Sequence, residues 1–179
     1  MTVSHLFSNW ISEMKPNAIR AVVNRSSGPE FVSFTAGKPA PSLFPIERLK
    51  EKSAAVLDEY GGESLQYFGT QGHPPLRTYL AQRFEASEPD DVLIISGSQQ
   101  GIDLAGKLFV NPGDKVATAA PTFPGALSAM RVHEPEIIGV ACDHEGMLPT
   151  ALEAVLKQGV KFIYCIPNFM NPTGGQHEP

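Results

Sequence analysis

The stretch VLIISGSQQGIDLAGKLFVNPGDKVATAA, residues 92–120, decides the expected fold because two kinds of pattern alternate within it. Residues 92–96 and 115–119 are short apolar runs with the β-branched content of buried strands. Between them, the apolar residues from Ile102 to Phe109 recur with helical spacing. A strand, a helix and a second strand in succession are typical of a largely parallel sheet covered by helices, so the stretch predicts an α/β domain.

The same alternation continues along the chain. Two further apolar runs, residues 137–141 and 162–166, predict strands, and segments with helical spacing precede each of them. Upstream, residues 49–60 and 76–84 are predicted helices. The preceding Gly/Pro-rich run places a boundary near residue 45. We therefore expect an N-terminal arm and small-domain segment over residues 1–45, and an α/β domain over residues 46–179.

Composition excludes several classes of protein. The chain has 179 residues, of which 42% are hydrophobic and 18% charged, as in ordinary globular proteins. A net charge of -5 argues against nucleic-acid binding, and no apolar stretch is long enough to predict a membrane span or an export signal. The two cysteines do not form a CxxC pair, and the five histidines lack metal-ligand spacing, so we expect a cytoplasmic protein without a metal.

The sequence SGSQQG, residues 96–101, lies between the first predicted strand and the helix after it. Free N–H groups at a helix start, the positive end of the helix dipole and the hydroxyl of Ser98 together suit a phosphate group. The alternative is that Ser98 only caps the helix. The nearby GIDLAGK is not a nucleotide-binding P-loop, because Leu108 stands where that motif has Ser or Thr.

Two other polar loops follow predicted strands. APTFPG, residues 120–125, follows the 115–119 run, and NFMNPTGG, residues 168–175, follows the 162–166 run. Because open α/β sheets bind ligands outside the carboxyl ends of their strands, these loops are expected to share one site with SGSQQG. The alternatives are a core position for Phe123 and a plain turn for Asn-Pro-Thr-Gly.

Taken in order, five motifs resemble the class I and II aminotransferases, which use pyridoxal phosphate (PLP). They are FTAGKPAPSLFP (34–45), SLQYFGTQGHPPLR (64–77), VLIISGSQQGIDLAGKLFVNPGD (92–114), APTFPGAL (120–127) and FIYCIPNFMNPTGG (162–175). The chain looks most like the 2-aminoadipate, kynurenine and aromatic aminotransferase branch. The resemblance implies a three-layer α/β/α domain, PLP as cofactor, an amino acid and a 2-oxo acid as substrates, and a homodimer.

The resemblance assigns PLP contacts to four residues of this region. Ser98 and Gln99 are expected to bind the phosphate through the hydroxyl and backbone N–H groups at the helix start. Phe123 occupies the position that stacks on the pyridine ring. Asn171 occupies the position whose amide donates to the phenolate oxygen, and it is also counted among the substrate contacts. The resemblance further implies a cis peptide bond between Asn171 and Pro172.

Three upstream residues also match positions with a role in the family. Tyr67 matches a tyrosine that reaches the phosphate in the partner subunit's site. Gly37 lies in the loop that covers the substrate, where the missing side chain lets the backbone approach closely. Arg20 matches an arginine that contacts acidic substrates in some relatives.

The sequence also departs from the family pattern. Lys38, Ala120 and Phe123 replace residues that are more usual at their positions, which affects the expected substrate preference. Family members run to about four hundred residues, and their pyridine-pairing aspartate, Ser-x-Ser-Lys segment and substrate-carboxylate arginine have no counterpart here. PLP catalysis needs the imine-forming lysine of that segment. We therefore expect a truncated N-terminal fragment with no catalytic residue of its own, inactive alone. The alternative is a non-catalytic binding or dimerisation module.

Overall fold

A computed structural model describes residues 3–8, 10–11, 37, 39–84 and 88–176 of the chain. The chain divides into two compact units, one formed by residues 1–10 and 93–179 and the other by residues 11–92. This division does not coincide with the boundary predicted near residue 45. That boundary was inferred from the Gly/Pro-rich run that precedes residue 46, and it stays a prediction.

Two α-helices of the unit of residues 11–92 lie wholly within the described residues, and both were predicted. Helix α1 spans Ile46–Tyr60 and ends at Gly61, whose φ of 52° lies in the left-handed region that favours glycine. Helix α2 spans Pro74–Arg83 and begins with two prolines, which are tolerated in the first turn because their missing N–H groups would have no partner there. Short 3-10 turns lie at Pro41–Leu43, Gly61–Leu65 and Pro89–Asp91.

The side chain of Arg77 fastens helix α2 to the segment that leaves this unit. Arg77 is 8% exposed. Its Nε–H donates to the carbonyl of Val92 at 2.8 Å, and Nη2 donates to the carbonyl of Pro89 at 2.5 Å and to Oδ1 of Asp90 at 3.1 Å. Because a buried guanidinium is stable only with partners for its N–H groups, these three bonds hold residues 89–92 in place.

The unit that includes residues 93–179 is built on a four-stranded sheet in the order β3-β2-β1-β4. Strand β1 spans Lys115–Ala120, β2 Glu136–Asp143, β3 Gly146–Met147 and β4 Phe162–Tyr164. Strand β1 is parallel to both β2 and β4, with Val116 opposite Ile137 on one side and Phe162 on the other. The two-residue strand β3 pairs antiparallel with the end of β2 and was not predicted.

Three helices cover the two faces of this sheet. Helix α3 spans Ser98–Phe109, α4 Pro124–Arg131 and α5 Pro149–Leu156. Successive residues of β1 point to opposite faces. Val116 packs with Met130 of α4 and Ile102 of α3, whereas its neighbour Ala117 packs with Val155 of α5. The sheet therefore lies between two helical layers, which confirms the three-layer α/β/α fold expected from the sequence.

Two strand predictions need correction. Residues 92–95 have no strand pairing among the described residues, and Leu93 and Ile95 are 50% and 36% exposed. An apolar β-branched run forms a strand only when a neighbour completes its hydrogen bonds, and no described segment pairs with this one. The run at 162–166 forms a strand only over Phe162–Tyr164. The amphipathic stretch 11–23 and the segment 31–35 fall largely or wholly outside the described residues.

Candidate functional site

The loops predicted to share a site follow the carboxyl ends of parallel strands. Because β1, β2 and β4 run in the same direction, the segments that leave them emerge at one edge of the sheet. Phe123 follows β1 at this edge, and the NPTGG loop follows β4. Gly175 of that loop lies against the turn after β2, where a Cβ would come 3.2 Å from the carbonyl oxygen of His144. The two loops therefore occupy the same edge.

Helix α3 begins at Ser98, as predicted. Its N-cap is Gly97, which has a φ of 80°, so the hydroxyl of Ser98 is not the capping group and the capping alternative is wrong. Ser98 is exposed, and no hydrogen-bond partner for its hydroxyl is found among the described residues. The first turn of α3 carries no acidic side chain. Its free N–H groups and Ser98 therefore suit an anion.

The side chain of Gln99 connects helix α3 to helix α4. Its Nε2 donates a hydrogen bond of 2.8 Å to the carbonyl oxygen of Gly125, in the first turn of α4. The backbone N–H of Gln99 lies in the first turn of α3 and remains one of the N–H groups available to an anion. The start of α3 is thereby placed beside the turn that contains Phe123.

The ring of Phe123 lies against Gly125. Phe123 is the N-cap residue of α4, and its carbonyl accepts the N–H of Ala126 at 3.1 Å. A Cβ on Gly125 would overlap the ring, reaching 2.5 Å from Cε1. The ring is half-buried and is held on one side by the backbone of this turn. The neighbouring Thr122 is buried, and its hydroxyl has no partner among the described residues.

A closed turn holds Asn171. The N–H of Met170 donates to the carbonyl of Gly175 at 2.8 Å, and the N–H of Gly174 donates to the carbonyl of Met170 at 2.5 Å. Met170 is 1% exposed, so its side chain anchors the loop, while Asn171 itself is exposed. The Asn171–Pro172 bond is cis, as predicted, and Ala120–Pro121 is a second cis bond that was not predicted.

The upstream candidates lie in the unit of residues 11–92 or outside the described residues. Tyr67 is 97% exposed, and Gly37 is exposed with open space where a Cβ would lie. Arg20 and Lys38 fall outside the described residues. The roles of Tyr67, Gly37 and Arg20 therefore stay predictions. We use the term carboxyl-edge site for the remaining four residues, Ser98, Gln99, Phe123 and Asn171.

The acidic side chain nearest the start of helix α3 does not oppose a bound anion there. The nearest acid along α3, Asp103, lies beyond the first turn and forms an ion pair of 2.6 Å with Lys107. The hydrogen bond from Lys107 lowers the pKa of Asp103, so its charge is compensated within the helix. In β4, burial raises the pKa of the Tyr164 phenol. A helix start, a hydroxyl, an aromatic face and an amide together fit a planar ring that carries a phosphate.

Sequence reasoning missed three contributors to this geometry. The side-chain bond from Gln99, the close approach at Gly125 and the buried anchor Met170 were not predicted. The Pro-Gly pair directly after Phe123 was a signal for a tight helix start. The apolar Met170 within a polar turn sequence was a signal for an anchor.

Comparison with known proteins identifies the family. A family model described as "Aminotransferase class I and II" matches residues 30–177. The chain belongs to the class I and II aminotransferase family. Among characterised relatives, it is 40% identical over 173 residues to a 2-aminoadipate transaminase of Thermus thermophilus. It is 38% identical over 179 residues to aromatic-amino-acid aminotransferase 1 of Thermococcus litoralis.

These matches cover nearly all of this chain and less than half of each relative. The two alignments include 96% and 94% of the chain, and 43% of each relative's length. The chain therefore spans less than half the length of the curated relatives it matches.

Solved structures of family members show the same fold. An α-aminoadipate aminotransferase from Thermus thermophilus, complexed with N-(5'-phosphopyridoxyl)-L-leucine, superimposes with a TM-score of 0.88 at 38% identity. It matches 99% of this chain and 44% of its own. A kynurenine aminotransferase from Pyrococcus horikoshii matches 99% of this chain and 46% of its own, with a TM-score of 0.87 at 35% identity. The family and the phosphopyridoxyl compound point to pyridoxal phosphate as the cofactor.

Membrane-spanning helices and metal clusters are both absent from the described residues. No helix in this part of the chain is both long and apolar enough to cross a membrane. Within the same residues, no group of three or more His, Cys, Asp or Glu side chains is placed to hold a metal ion.

Proposed function

We propose that this chain forms part of a PLP-dependent aminotransferase that transfers an amino group between an amino acid and a 2-oxo acid. The observation that supports this most is the convergence of a helix start, an aromatic turn and the NPTGG loop at one edge of the sheet. The names of the relatives support 2-aminoadipate or an aromatic amino acid as the amino donor.

The carboxyl-edge site divides the binding of PLP among its residues. The hydroxyl of Ser98 and the free N–H groups at the start of α3 hold the phosphate, where the helix dipole favours negative charge. Phe123 would cover one face of the pyridine ring, and the amide of Asn171 would donate to the phenolate oxygen. When bound, PLP supplies the electron sink for chemistry at the substrate Cα. These residues would hold the phosphate and the ring of PLP in one orientation.

The reaction also needs a lysine that forms an imine with the cofactor. The eight lysines of this sequence lie outside the Ser-x-Ser-Lys context that this reaction uses in the family. We propose that the lysine comes from outside these 179 residues and that this chain supplies the phosphate-holding and ring-holding half of the site. The 179 residues alone then bind PLP without transferring amino groups.

The remaining family roles complete the proposal. Tyr67 reaches the phosphate of a partner subunit in a homodimer, while Gly37 and Arg20 contact the substrate. The near-complete exposure of Tyr67 supports a role toward another subunit. The apolar side chains of α1 support it too, since Ile46, Leu49 and Leu57 are about half exposed and α1 buries none of its residues. The composition supports action in the cytoplasm.

A substitution at Ser98 tests the proposed site. In the protein expressed from its complete gene, Ser98→Ala removes one hydrogen bond to a charged phosphate, and we expect PLP affinity to fall by about 10- to 100-fold. The matched control is Ser128→Ala, because the hydroxyl of Ser128 donates to the Pro124 carbonyl within α4 and is not part of the proposed site. Titration with PLP, followed by absorbance, measures both variants.

The outcomes separate the proposal from its alternative. Equal PLP affinity in the two serine variants would remove Ser98 from the site. Borohydride reduction and peptide mapping should then find one pyridoxyl-lysine in the complete protein. PLP binding with no labelled lysine and no amino-group transfer would favour the non-catalytic module.

A further inference from the structure

We infer that the side chain of Gln99 is a positioning residue, which fixes the phosphate-holding start of α3 relative to the ring-holding Phe123. The inference rests on the proposed function of the carboxyl-edge site. The backbone and the side chain of Gln99 have different roles. The backbone N–H of Gln99 lies in the first turn of α3, where it is available to an anion, whereas its side-chain amide connects two helix starts.

The contact geometry supports this division. Nε2 of Gln99 donates to the carbonyl of Gly125 at 2.8 Å. The space that a Cβ on Gly125 would occupy is bounded by the ring of Phe123 and by Oε1 of Gln99, which would lie 2.9 Å away. The amide of Gln99, the backbone of Gly125 and the aromatic ring therefore form one packed cluster.

The two helix starts differ in how firmly the sheet holds them. Helix α4 follows β1, whose residues Val116 and Ala117 are completely buried between paired strands. Helix α3 follows residues 92–96, which have no strand pairing among the described residues. The bond from Gln99 therefore ties the less supported helix start to the one that continues the central strand. A ligand that contacts both at once needs this spacing to be constant.

The side-chain amide of Gln99 is directed at the turn that contains Phe123. Its Nε2 donates to the carbonyl of Gly125, so the amide acts through that turn. Loss of the amide should weaken a ligand that spans both helix starts. It should not weaken a ligand that contacts the start of α3 alone.

The experiment uses Gln99→Met in the protein expressed from its complete gene, with PLP and inorganic phosphate as probes. Methionine keeps the backbone N–H and the approximate length but cannot donate. The affinity for PLP should fall by about 3- to 10-fold, the effect of one neutral hydrogen bond. Phosphate, measured as a competitor of PLP, should bind both proteins equally well. The matched control is Gln158→Met, because that exposed amide donates to the carbonyl of Ala154 in α5 and, among the described residues, has no other hydrogen bond.

A double-mutant cycle identifies the route of the effect. In a Phe123→Leu background, Gln99→Met should change PLP affinity by less than about 2-fold, since the ring that it positions is gone. Additive losses would overturn the inference, as would an equal loss of phosphate affinity, which would make the amide a direct phosphate ligand. A lower melting temperature with unchanged PLP affinity would overturn it as well, because the role would then be structural.

A replacement variant and the PLP affinity of the wild type keep the test decisive. If Gln99→Met does not fold, Gln99→Asn replaces it, because the shorter amide cannot reach Gly125 and should give the same loss. A wild-type protein that does not bind PLP would overturn the proposed function together with this inference. A wild-type protein that binds PLP, with a Gln99→Met variant of equal affinity, would overturn the inference alone.

Discussion

Gly106→Ala should lower the free energy of unfolding when His133 is present and raise it when the His133 side chain has been removed. Gly106 is buried in helix α3, and the imidazole of His133 lies over it. A Cβ on Gly106 would overlap Cδ2 of the ring and come 2.7 Å from Nε2, whereas ordinary contact begins near 3.4 Å. The ring is held in place, since the side chain of His133 is largely buried and its Nε2 lies 3.7 Å from Oδ1 of Asp103.

Two opposing contributions set the magnitude of the Gly106→Ala change. Alanine is favoured over glycine inside a helix by about 1 kcal/mol. Forcing a methyl group into a packed site costs about 1–3 kcal/mol. We therefore expect Gly106→Ala to lower the free energy of unfolding by up to about 2 kcal/mol in the wild-type protein. When His133→Ala has removed the ring, the same change should raise the free energy of unfolding by about 1 kcal/mol.

Urea unfolding of the wild type, the two single variants and the double variant measures this reversal. The coupling free energy between the two positions should be about 1–3 kcal/mol, well above the few tenths expected for independent sites. A Gly106→Ala change that destabilises equally with and without the imidazole would refute the reasoning. In that case the packing of His133 on this glycine would not be what requires the absence of a side chain.

Two other predictions concern charged groups. Arg77→Met should lower the free energy of unfolding by about 2–4 kcal/mol, because it leaves two carbonyls without their charged donor, and thermal melts should show the loss. Asp90→Asn should lower the free energy of unfolding by less than about 1 kcal/mol, because that carboxylate is 94% exposed. A loss as large as that of Arg77→Met would contradict the role of the two carbonyls. The hydrogen bond from Lys161 at 2.7 Å lowers the pKa of Asp114 below its usual value near 3.8. The stability that Asp114 contributes is therefore present above about pH 4 and is lost as the pH falls through the lowered pKa. The free energy of unfolding of Asp114→Asn should depend less on pH in acid than that of the wild type. The same pH dependence in both proteins would contradict this.

Local patterns in the sequence were sufficient for most of the secondary structure and for the layer order. The Pro74-Pro75 pair and the SGSQ sequence marked the starts of α2 and α3, because proline fixes its own φ near the helical value and Gly97 can adopt the positive φ that precedes α3. The apolar run of β1 predicted a strand covered on both faces, since apolar side chains on both faces of a strand require cover on both faces. The motifs alone also located Phe123 and Asn171 at the strand ends.

The tertiary structure decided what depends on neighbours distant in sequence. The sequence of residues 92–96 predicts a strand. A strand needs a second segment to pair with, however, and no described segment pairs with this one. The amide of Gln99 reaches Gly125 across 26 positions of sequence, and Gly106 is required to be small only because His133 lies on it. A sequence pattern indicates which backbone conformation a segment favours and which of its side chains are buried. Which side chains contact one another is determined by tertiary packing. The spacing of the residues in the carboxyl-edge site depends on such contacts, so the sequence alone did not determine it.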